Sequence, residues 1–528
     1  MERKIQIRKN AYYDSVFLML ATKGLKQRPG IREAVVAMGT EINLALLKEI
    51  GLLSGEAESA KPNDLVIAIE AETGDAAEEA CRIAEEILKK KGHGGGEEEY
   101  RPVSLEGALS IFPEANLVVI SVPGLYAARE ARKALNRGLH VMIFSDHVPV
   151  EEEVELKEMA LQRGLLMMGP DCGTAILNGK PLCFANVVRR GPIGLVAASG
   201  SGLQEVCCCI DRMGGGISQA IGTGGRDLQD RRVGGRMTLM GIEALKQDPA
   251  TRVIVVLSKP PAEEVAATVL SKLEDTGKPC VAHFLGRKPS GDLGSIWFSG
   301  NMEEAAAMAV ALSRGDRYQR TWSSLSEAEM ATVVEREVKN MAPEQRYVRG
   351  LFAGGTLAIE AMALFEEEGF RVFSNVRKEP GRLLQSPHLS EGHAIVDMGD
   401  DVFTLGRPHP MIDPSLREER IAKEAADPET ALLLLDVVLG YGAHEDPCGP
   451  LAESIGRAKA QVAGRGGGYL SVIASITGTE KDFQNMAEQK KKLEAAGCLV
   501  MPSNYQAALL AVQVMKKRHL TAETGLLP

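Results

Sequence analysis

The segment from about residue 193 to residue 314 alternates solidly apolar runs with helix-like runs, and each apolar run ends in a loop rich in Gly, Ser or Lys. Such runs are typical of strands buried on both faces, as in parallel sheets covered by helices. The predicted strands are Ile193–Ala197, Ile217–Ile221, Val253–Leu257 and Cys280–Leu285. Because parallel strands share one carboxyl edge, their loops are expected to lie together, where open α/β sheets bind ligands.

The same alternation predicts three further domains. Residues 345–528 repeat the pattern, and residues 100–190 predict a βαβ unit that ends in Gly169-Pro-Asp-Cys-Gly173. Residues 1–92 alternate short strands and helices, which favours a small α+β domain, and a Gly-rich linker follows at 91–99. The chain is therefore predicted to be an α/β protein. It has a small α+β N-terminal domain at 1–92, a Rossmann-like domain at 100–190, and two flavodoxin-like domains with parallel sheets at 191–315 and 345–528.

The stretch Ala198-Ser-Gly-Ser-Gly202 lies between a predicted strand and a predicted helix. Free N–H groups at a helix start and the positive end of its dipole favour a phosphate or carboxylate, and the hydroxyls of Ser199 and Ser201 add donors. No Lys follows Gly202, so the stretch is not a Walker loop. Two interpretations stay open: an anion site made by Ser199, Gly200, Ser201 and Gly202, or a turn with Gly for geometry and Ser as a cap.

Basic side chains follow two other strands of the same predicted sheet. Lys259 stands between a strand and two prolines, whose fixed backbone presents it rigidly, and this favours a catalytic role. Gly224 and Gly225 follow another strand and are candidate substrate-binding residues, and Arg226 after them is expected at the same edge. It either contacts an anion there or pairs with Asp227 to fix the loop.

Acidic residues follow strands of two domains. Asp171 is a candidate substrate contact at the edge of the 100–190 sheet, and the neighbouring Cys172 is either a nucleophile or a small residue packed under that edge. Asp400 and Asp401 follow a strand of the last domain. No companion ligand has suitable spacing, so no metal site is predicted.

The last domain carries two polar groups of its own. Arg407, His409 and Asp413 lie in a proline-rich loop, which is either solvated or part of a site. Arg can bind carboxylate or phosphate with two hydrogen bonds and His can move protons, so Arg407 and His409 are candidate catalytic residues. Gly440 and Gly442 follow a strand and are expected to begin a second anion-binding helix.

Composition narrows the class of partner. The 528-residue chain has a formal net charge of −10, which argues against nucleic acid and anionic membranes. No run approaches the roughly 20 apolar residues that span a bilayer, and Met1–Ile5 lacks the apolar region of a signal peptide. The nine cysteines, three of them adjacent at Cys207, Cys208 and Cys209, show neither metal nor disulfide spacing. We therefore expect a cytoplasmic protein that binds neither nucleic acid nor membrane.

Seven segments together resemble one family over essentially the whole chain. They are Met168-Gly-Pro-Asp-Cys172, Ala198-Ser-Gly-Ser-Gly202, Gly222-Thr-Gly-Gly-Arg-Asp227, Ser258-Lys-Pro-Pro-Ala262, Gly406-Arg-Pro-His-Pro-Met-Ile-Asp-Pro414, Leu434-Leu-Asp-Val-Val438 and Thr477-Gly-Thr-Glu480. The chain resembles the FdrA family, relatives of the succinyl-CoA synthetase α subunit. That resemblance implies a CoA-binding-type domain at 100–190 and paired succinyl-CoA-synthetase-type ligase domains at 191–315 and 345–528.

The chain departs from the synthetases in the parts that make a thioester. The synthetases carry phosphate on a His in a Gly-His-Ala-Gly segment, whereas the His of residues 283–297 here, His283, falls inside a predicted strand. Residues 1–100 hold no counterpart of the Gly-rich CoA loop, and no ATP-grasp nucleotide domain fits the sequence. The comparison with the synthetases therefore implies no phosphohistidine, and CoA is not expected to bind.

The FdrA branch resembles a subunit of the carbamoyltransferase of allantoin breakdown in purine catabolism, which converts oxalurate and phosphate to oxamate and carbamoyl phosphate. This implies phosphate or carbamoyl phosphate and an oxamate-like amide as substrates, with no required cofactor. It also implies other carbamoyltransferase subunits as partners and a homo-oligomer within their complex.

In the synthetases two helix starts face one phosphate. The resemblance implies that the starts at Ser199 and Gly440 do the same here, with Lys259, Arg226 and Arg407 neutralising charge on the transferred group. Two alternatives stay open. One is an acyl-CoA synthetase subunit, an acid–thiol ligase that takes nucleotide chemistry from a partner chain. The other is a non-catalytic scaffold or metabolite sensor.

Overall fold

The computed structural model describes residues 2–11, 13, 15–55, 57–92, 102–286, 291, 293–318, 325–377, 379, 381–404, 407–465 and 468–524. It divides into two units, one of residues 1–102 with 401–408 and one of residues 103–400 with 409–528. Most of the linker predicted at 91–99 lies outside the described residues. Among the described helices, none combines the length and the apolar character needed to cross a membrane.

The first unit is built on a three-stranded antiparallel sheet in the order β1-β3-β2. Its elements are β1 (Glu2–Arg8), α1 (Ser15–Lys26), β2 (Ile31–Met38), α2 (Glu41–Glu49), β3 (Leu65–Ala71) and α3 (Gly74–Gly92). Ile67 and Ile69 pack on the side of α1 and α3, whereas Val66 and Ala68 pack beside Leu47 of α2. Alternate residues of β3 thus fill two apolar layers, which confirms the predicted small α+β domain.

The second unit begins with a three-stranded parallel sheet in the order β4-β5-β6. Its elements are α4 (Leu105–Ile111), β4 (Leu117–Ile120), α5 (Gly124–Asn136), β5 (His140–Ile143), α6 (Val150–Gln162) and β6 (Met167–Met168). Strand and helix alternate as in the predicted Rossmann-like domain.

A seven-stranded sheet follows in the order β13-β12-β11-β9-β10-β7-β8. Its elements are β7 (Thr174–Leu177), β8 (Lys180–Cys183), β9 (Arg190–Ala198), α7 (Gly200–Arg212), β10 (Ile217–Gly222), α8 (Arg226–Gln229), α9 (Arg236–Gln247), β11 (Val253–Ser258), α10 (Glu263–Glu274), β12 (Cys280–Phe284), β13 (Ile296–Phe298) and α11 (Met302–Arg314). The parallel strands β10-β9-β11-β12-β13 have the flavodoxin order, whose switch point lies between β9 and β11.

The hairpin β7–β8 corrects one predicted boundary. The predicted 100–190 domain includes residues 174–183, but β7 pairs antiparallel with β10 of the seven-stranded sheet. The turn between β7 and β8 is Asn178-Gly179, and both residues have positive φ, 49° and 76°. Asn-Gly is a strong signal for a two-residue hairpin turn, so the sequence did carry the information.

The last sheet has six parallel strands in the order β15-β16-β14-β17-β18-β19. Its elements are α12 (Glu327–Lys339), β14 (Tyr347–Phe352), α13 (Gly355–Glu367), β15 (Val372–Phe373), β16 (His393–Asp397), α14 (Asp401–Thr404, in the first unit), α15 (Ser415–Ala426), β17 (Thr430–Val438), α16 (Cys448–Ala463), β18 (Ser471–Thr477), α17 (Met486–Ala495), β19 (Leu499–Met501) and α18 (Asn504–Thr524). The order β16-β14-β17-β18-β19 is again that of flavodoxin, which confirms the predicted pair of parallel domains.

One apolar cluster joins the two flavodoxin-like sheets. Cys207 and Cys209 of α7 are buried in the same cluster as Leu357 and Ala358 of α13. Burial raises the pKa of each thiol of the Cys207–Cys209 triplet, so the triplet is inert core packing. The packing of α7 against α13 fixes where the two helices begin relative to each other.

Candidate functional site

The helix α7 begins immediately at the carboxyl end of β9, as the sequence predicts. Ser199 is extended, and its Oγ accepts a hydrogen bond from Gly202 N at 3.2 Å. Leu203 N donates to the carbonyl of Ser199. The N–H groups of Gly200 and Ser201 have no acceptor among the described residues, as expected for a first turn. These groups and the helix dipole give this end of α7 a positive potential.

A second helix begins in the same way on the other sheet. β14 ends at Phe352, and α13 starts three residues later at Gly355. The turn is held by Asp436, a fully buried residue of β17. Its Oδ1 and Oδ2 accept hydrogen bonds from Ala353 N and Gly354 N, each at 2.7 Å. Asp436 thus accepts from the two N–H groups that precede α13, and it does not accept from the N–H groups of the helix itself.

The two helix starts contact each other directly. The hydroxyl oxygens of Ser199 and Thr356 are 2.7 Å apart, and Thr356 N donates to Ser201 Oγ at 3.3 Å. Two glycines permit this approach: a Cβ on Gly202 would lie 2.9 Å from Thr356 Cγ2, and one on Gly354 would lie 2.9 Å from Ser201 Cβ. The positive ends of α7 and α13 therefore lie next to each other. We call the region around Ser199, Ser201, Gly354 and Thr356 the cleft.

Lys259 lies beside α7 because of strand register. Ser258, the last residue of β11, pairs with Ala198, the last residue of β9, at the switch point of the sheet. Among the described residues, none forms a hydrogen bond or ion pair with the half-buried Lys259 ammonium. Burial raises the pKa of both Asp171 and Asp397, and the charge of Lys259 opposes that rise. One uncompensated cation therefore faces carboxylates from two different sheets.

Asp397 ends β16 and contributes the most buried of these carboxylates. It is 8% exposed, and its Oδ1 accepts a hydrogen bond from Gly399 N at 2.9 Å. Burial raises the pKa of Asp397 to about 7 against the opposing charge of Lys259. Asp397 can therefore gain or lose a proton near neutral pH.

Asp171 occupies the position that the sequence predicts, at the end of β6. Its backbone has a positive φ of 56°, and its N–H donates to the carbonyl of Ser145 at 3.0 Å. Asp171 is exposed, but desolvation by the protein around its carboxyl group raises its pKa to about 6, and the charge of Lys259 opposes that rise. Cys172 is buried with its pKa raised to about 12, which excludes a reactive thiolate.

His409 is placed as a hydrogen-bond donor. Its Nδ1 accepts from Met411 N at 3.2 Å, and its ring lies 5.7 Å from the Phe184 ring between centroids. Burial, aided by the charge of Arg417, lowers the pKa of His409 to about 4. The neutral ring thus carries its proton on Nε2. A Cβ on Gly399 would lie 2.5 Å from that Nε2, so only glycine fits there.

Arg226 has a structural partner. Its Nε pairs with Glu153 of α6 at 2.9 Å, and its Nη2 donates to the carbonyl of Val148 at 2.8 Å. The pairing with Asp227 considered above is wrong, because Asp227 is held by the buried ammonium of Lys157 instead. Arg226 therefore fixes its loop against α6, and its catalytic role stays a prediction.

The glycines before Arg226 serve close packing. Gly224 has φ of 86°, and a Cβ there would lie 2.2 Å from the carbonyl oxygen of Pro170. A Cβ on Gly225 would meet Asp171 Oδ2 at 3.5 Å. The loop thus lies against Asp171, and whether Gly224 and Gly225 contact a substrate stays a prediction.

Gly440 and Gly442 do not begin a helix, which corrects the prediction. The next helix, α16, starts at Cys448. Gly440 N donates to Gln484 Oε1 at 3.1 Å and Tyr441 N to the carbonyl of Ala185 at 2.8 Å, so these groups are already used. α16 begins only after Pro447, several residues beyond the glycines. The helix start that contacts Ser199 is that of α13.

The polar group predicted around Arg407 is divided between the two units. Arg407 belongs to residues 401–408, whereas His409 and Asp413 belong to the second unit. Arg407 is exposed, and Asp413 is buried with its Oδ1 accepting from Ser415 N at 3.0 Å. Of this group, the structure brings His409 to the cleft and uses Asp413 as a local turn acceptor.

His283 packs in the core as predicted. It is 2% exposed on β12, its Nδ1 donates to the carbonyl of Ser299 at 3.1 Å, and Nε2 is buried without a partner among the described residues. Burial lowers its pKa to about 4. A buried neutral ring inside a strand is not placed to carry phosphate. Residues 287–290 and 292 of the following loop lie outside the described residues.

Sequence reasoning missed three residues of the cleft: Thr356, Asp397 and Asp436. Gly354-Gly-Thr356 follows a strand in the same way as Ser199-Gly-Ser201, so a signal for a helix start was present. Asp397 and Asp436 lie at or near strand ends, but nothing local distinguishes them from other acidic residues. Only the packing of strands around them gives them their roles.

Comparison with known proteins places the chain in a family. It is 44% identical over 519 residues to the uncharacterized protein YahF of Escherichia coli (strain K12), covering 98% of this chain and 99% of that protein. The chain belongs to the YahF family. Family models match it as "AllF, heavy metal-associated domain" over residues 1–102 and "CoA-ligase" over residues 351–514.

More distant similarity links the chain to the succinate–CoA ligases. The succinate–CoA ligase [ADP-forming] subunit alpha of Aquifex aeolicus is 29% identical over 220 residues, which cover 39% of this chain and 68% of that protein. The apo dinucleotide-forming acetyl-coenzyme A synthetase 1 of Ca. Korarchaeum cryptofilum has a TM-score of 0.31 and 17% identity, covering 78% and 85% of the two chains. The CoA-ligase family model and the succinate–CoA ligase relative make the chain succinyl-CoA synthetase-like, and its narrower assignment to FdrA stays a prediction.

The side chains of residues 1–102 do not suit the heavy-metal binding that the name of the first family model suggests. Heavy metals are bound through soft thiolate ligands. Residues 1–102 contain one cysteine, Cys81, which is buried on α3. Burial raises the pKa of its thiol. A single buried protonated thiol does not make a thiolate site.

Proposed function

We propose that the chain is a subunit of a carbamoyltransferase that exchanges a carbamoyl group between phosphate and an oxamate-like amide. The observation that carries the proposal is the convergence of the starts of α7 and α13 beside the unpaired ammonium of Lys259. Two positive helix ends and a cation favour a phosphate group and the charge that develops as it attacks a carbamoyl carbon.

The side chains around this point suit transfer to and from an amide. Lys259 neutralises the anion, the N–H groups of Gly200 and Ser201 bind it, and His409 Nε2–H donates to a carbonyl or carboxylate oxygen. Asp171 lies within electrostatic reach of Lys259, and its carboxyl group, with a pKa raised to about 6, can accept an amide N–H. The reaction needs neither nucleotide nor thiol, in keeping with the buried His283.

A second candidate is an acyl-CoA ligase subunit, favoured by the CoA-ligase match over residues 351–514 and by the succinate–CoA ligase relatives. The same cleft would then hold a phosphate delivered from a partner chain. This candidate requires a phosphate carrier. Of two described histidines in loops near the α13 turn, His409 is neutral, and His444, which lines a pocket with Ala353, uses its Nδ1 to accept from Asp446 N at 3.0 Å.

One assay separates the candidates. The complex isolated from its own cells is incubated with oxalurate and labelled phosphate, with and without ATP and CoA. We expect label in carbamoyl phosphate without ATP or CoA. A requirement for both, with a CoA thioester as product, would favour the ligase and contradict the carbamoyltransferase.

Two variants test whether the cleft is responsible. Lys259→Met should lower the rate by about two to three powers of ten, because it removes a charge that stabilises the transition state. Lys272→Met is the matched control, since the Lys272 ammonium pairs with Glu243 on the surface of α9 and α10. Equal losses of rate in both variants would show that the charge of Lys259 has no specific role in the reaction.

A further inference from the structure

Asp397 has one carboxylate oxygen that nothing in the described chain satisfies. Gly399 N occupies Oδ1, and no described residue donates to Oδ2. A Cβ on Gly355 would lie 2.2 Å from this Oδ2, so the oxygen sits against the first residue of α13. An anion that binds at the start of α13 must therefore meet Asp397 Oδ2 at close range.

The charges around Asp397 come from four elements. Lys259 after β11 favours its ionised form, whereas Asp400 and Asp436 disfavour it, and Asp436 is itself paired with Arg417 at 3.4 Å. His409 approaches from the loop before α15 but is neutral near pH 7. A second anion at the helix starts would act in the same direction as Asp400 and Asp436. It would push a proton onto Asp397.

Carbamoyl transfer needs a proton at that place. When a phosphate oxygen attacks the carbamoyl carbon, a C–O bond forms and the bond from that carbon to the amide nitrogen breaks. The nitrogen takes the electron pair and must gain a proton to leave as a neutral amide. Hydrogen phosphate loses its own proton as it becomes the carbamoyl phosphate dianion, so the proton count balances if one group moves the proton between them.

We propose that Asp397 is this proton carrier: it is protonated when a phosphate occupies the starts of α7 and α13, gives the proton to the departing amide nitrogen, and regains one from the attacking hydrogen phosphate. The transfer step rests on the proposed function, whereas the uptake of a proton with the anion does not. His409 cannot do this, because its Nδ1 is already used by Met411 N.

Calorimetry on the full chain tests the proton uptake without any turnover. Sulfate is the first probe because, unlike phosphate, it does not titrate between pH 6 and 9. Sulfate is titrated at pH 8 in two buffers of different ionisation enthalpy, and inorganic phosphate is titrated in parallel. We expect uptake of nearly one proton per sulfate, and affinity that falls up to about tenfold per pH unit above pH 7. Asp397→Asn should bind sulfate at least as well at pH 8 and take up no proton.

Glu360→Gln is the matched control. Glu360 is also buried with its pKa raised to about 7, but its two oxygens accept from Met302 N and Asn504 Nδ2, away from the cleft. This variant should keep the uptake seen in the unmodified chain. Unchanged uptake in Asp397→Asn, loss of it in Glu360→Gln, or no anion binding by the unmodified chain would each overturn the proposal.

The carbamoyl transfer assay tests whether Asp397 gives its proton to the departing amide nitrogen. Asp397→Asn should lower carbamoyl phosphate formation by about two to four powers of ten and remove the limb of the pH profile near pH 7. Full activity with an unchanged profile would overturn the assignment of Asp397. If no preparation makes carbamoyl phosphate, the proposed function and the transfer step fall together, and the calorimetric result still decides the coupling of anion and proton.

Discussion

The side-chain oxygens of Ser199 and Thr356 lie 2.7 Å apart, although 157 residues separate them in the chain. Both residues are buried, so this hydrogen bond joins the two flavodoxin-like sheets where water does not compete well. Replacing the Ser199 hydroxyl leaves the buried Thr356 hydroxyl without a partner among the described residues, which costs about 1–3 kcal/mol of unfolding free energy.

A double-mutant cycle measures this contact. Ser199→Ala should cost more than Thr356→Val, because Ser199 also caps α7 by accepting from Gly202 N. The double variant should lose about 0.5–2 kcal/mol less than the sum of the singles, as followed by urea denaturation. Ser326→Ala removes a comparable cap on α12 and should show no coupling to Thr356→Val. Additive losses would mean that the two helix starts do not hold each other.

A charge at the cleft should expel the anion. Ser201→Asp puts a carboxylate at the point where α7 and α13 meet, and at about 4 Å with an effective dielectric of about 20 the repulsion is on the order of 4 kcal/mol. After relaxation, phosphate affinity should fall by roughly two to three powers of ten. Ser201→Asn is the neutral control and should bind phosphate within about tenfold of the unmodified chain. If the Asp variant bound phosphate normally, Ser199–Gly202 would be a structural turn and not part of an anion site.

Burial of His283 predicts a loss of stability in acid. Its pKa is lowered from 6.5 to about 4 in the folded chain, so between these values the unfolded chain binds more protons. The stabilisation is therefore fully present above about pH 6.5 and is lost as the pH falls toward 4, by on the order of 3 kcal/mol. His283→Gln should flatten the dependence of unfolding free energy on pH in this window. Exposed His388→Gln should not, and an equal effect of both would contradict this account.

The same burial predicts that His283 is not phosphorylated. Incubation with labelled ATP or an acyl phosphate should leave no acid-labile label on peptides from Val281 to Trp297, because Nε2 is buried within β12. Mass spectrometry of the digested chain checks this directly. Label on those peptides would restore a synthetase-type phosphate relay.

The strands and the start of α7 could be predicted from the sequence because their signals are local. Val253–Ser258 and Thr430–Val438 are buried along their whole length, and an unbroken apolar run is the sequence form of such a strand. Ser199 combines a cap with two glycines immediately after a strand, so helix and strand periodicities change at one residue.

The partner of α7 could not be chosen from the sequence, because that choice depends on which helices pack together. Gly354-Gly355 and Gly440-Tyr-Gly442 both follow buried strands and look alike as letters. Only Gly354-Gly355 leads straight into a helix that shares a core with α7, while the Gly440 loop is drawn to Ala185 by a backbone hydrogen bond. Asp397 likewise gains its raised pKa from residues far away in sequence, above all from burial between strands.

We propose that the starts of α7 and α13 and the ammonium of Lys259 form one anion site. A crystal structure of the full chain with bound phosphate tests it most directly. We predict a single phosphate within hydrogen-bond distance of Gly200 N, Ser201 N and Lys259 Nζ, next to Asp397. Phosphate bound at the Gly440 loop, or an empty cleft at a phosphate concentration that saturates binding in solution, would contradict the account.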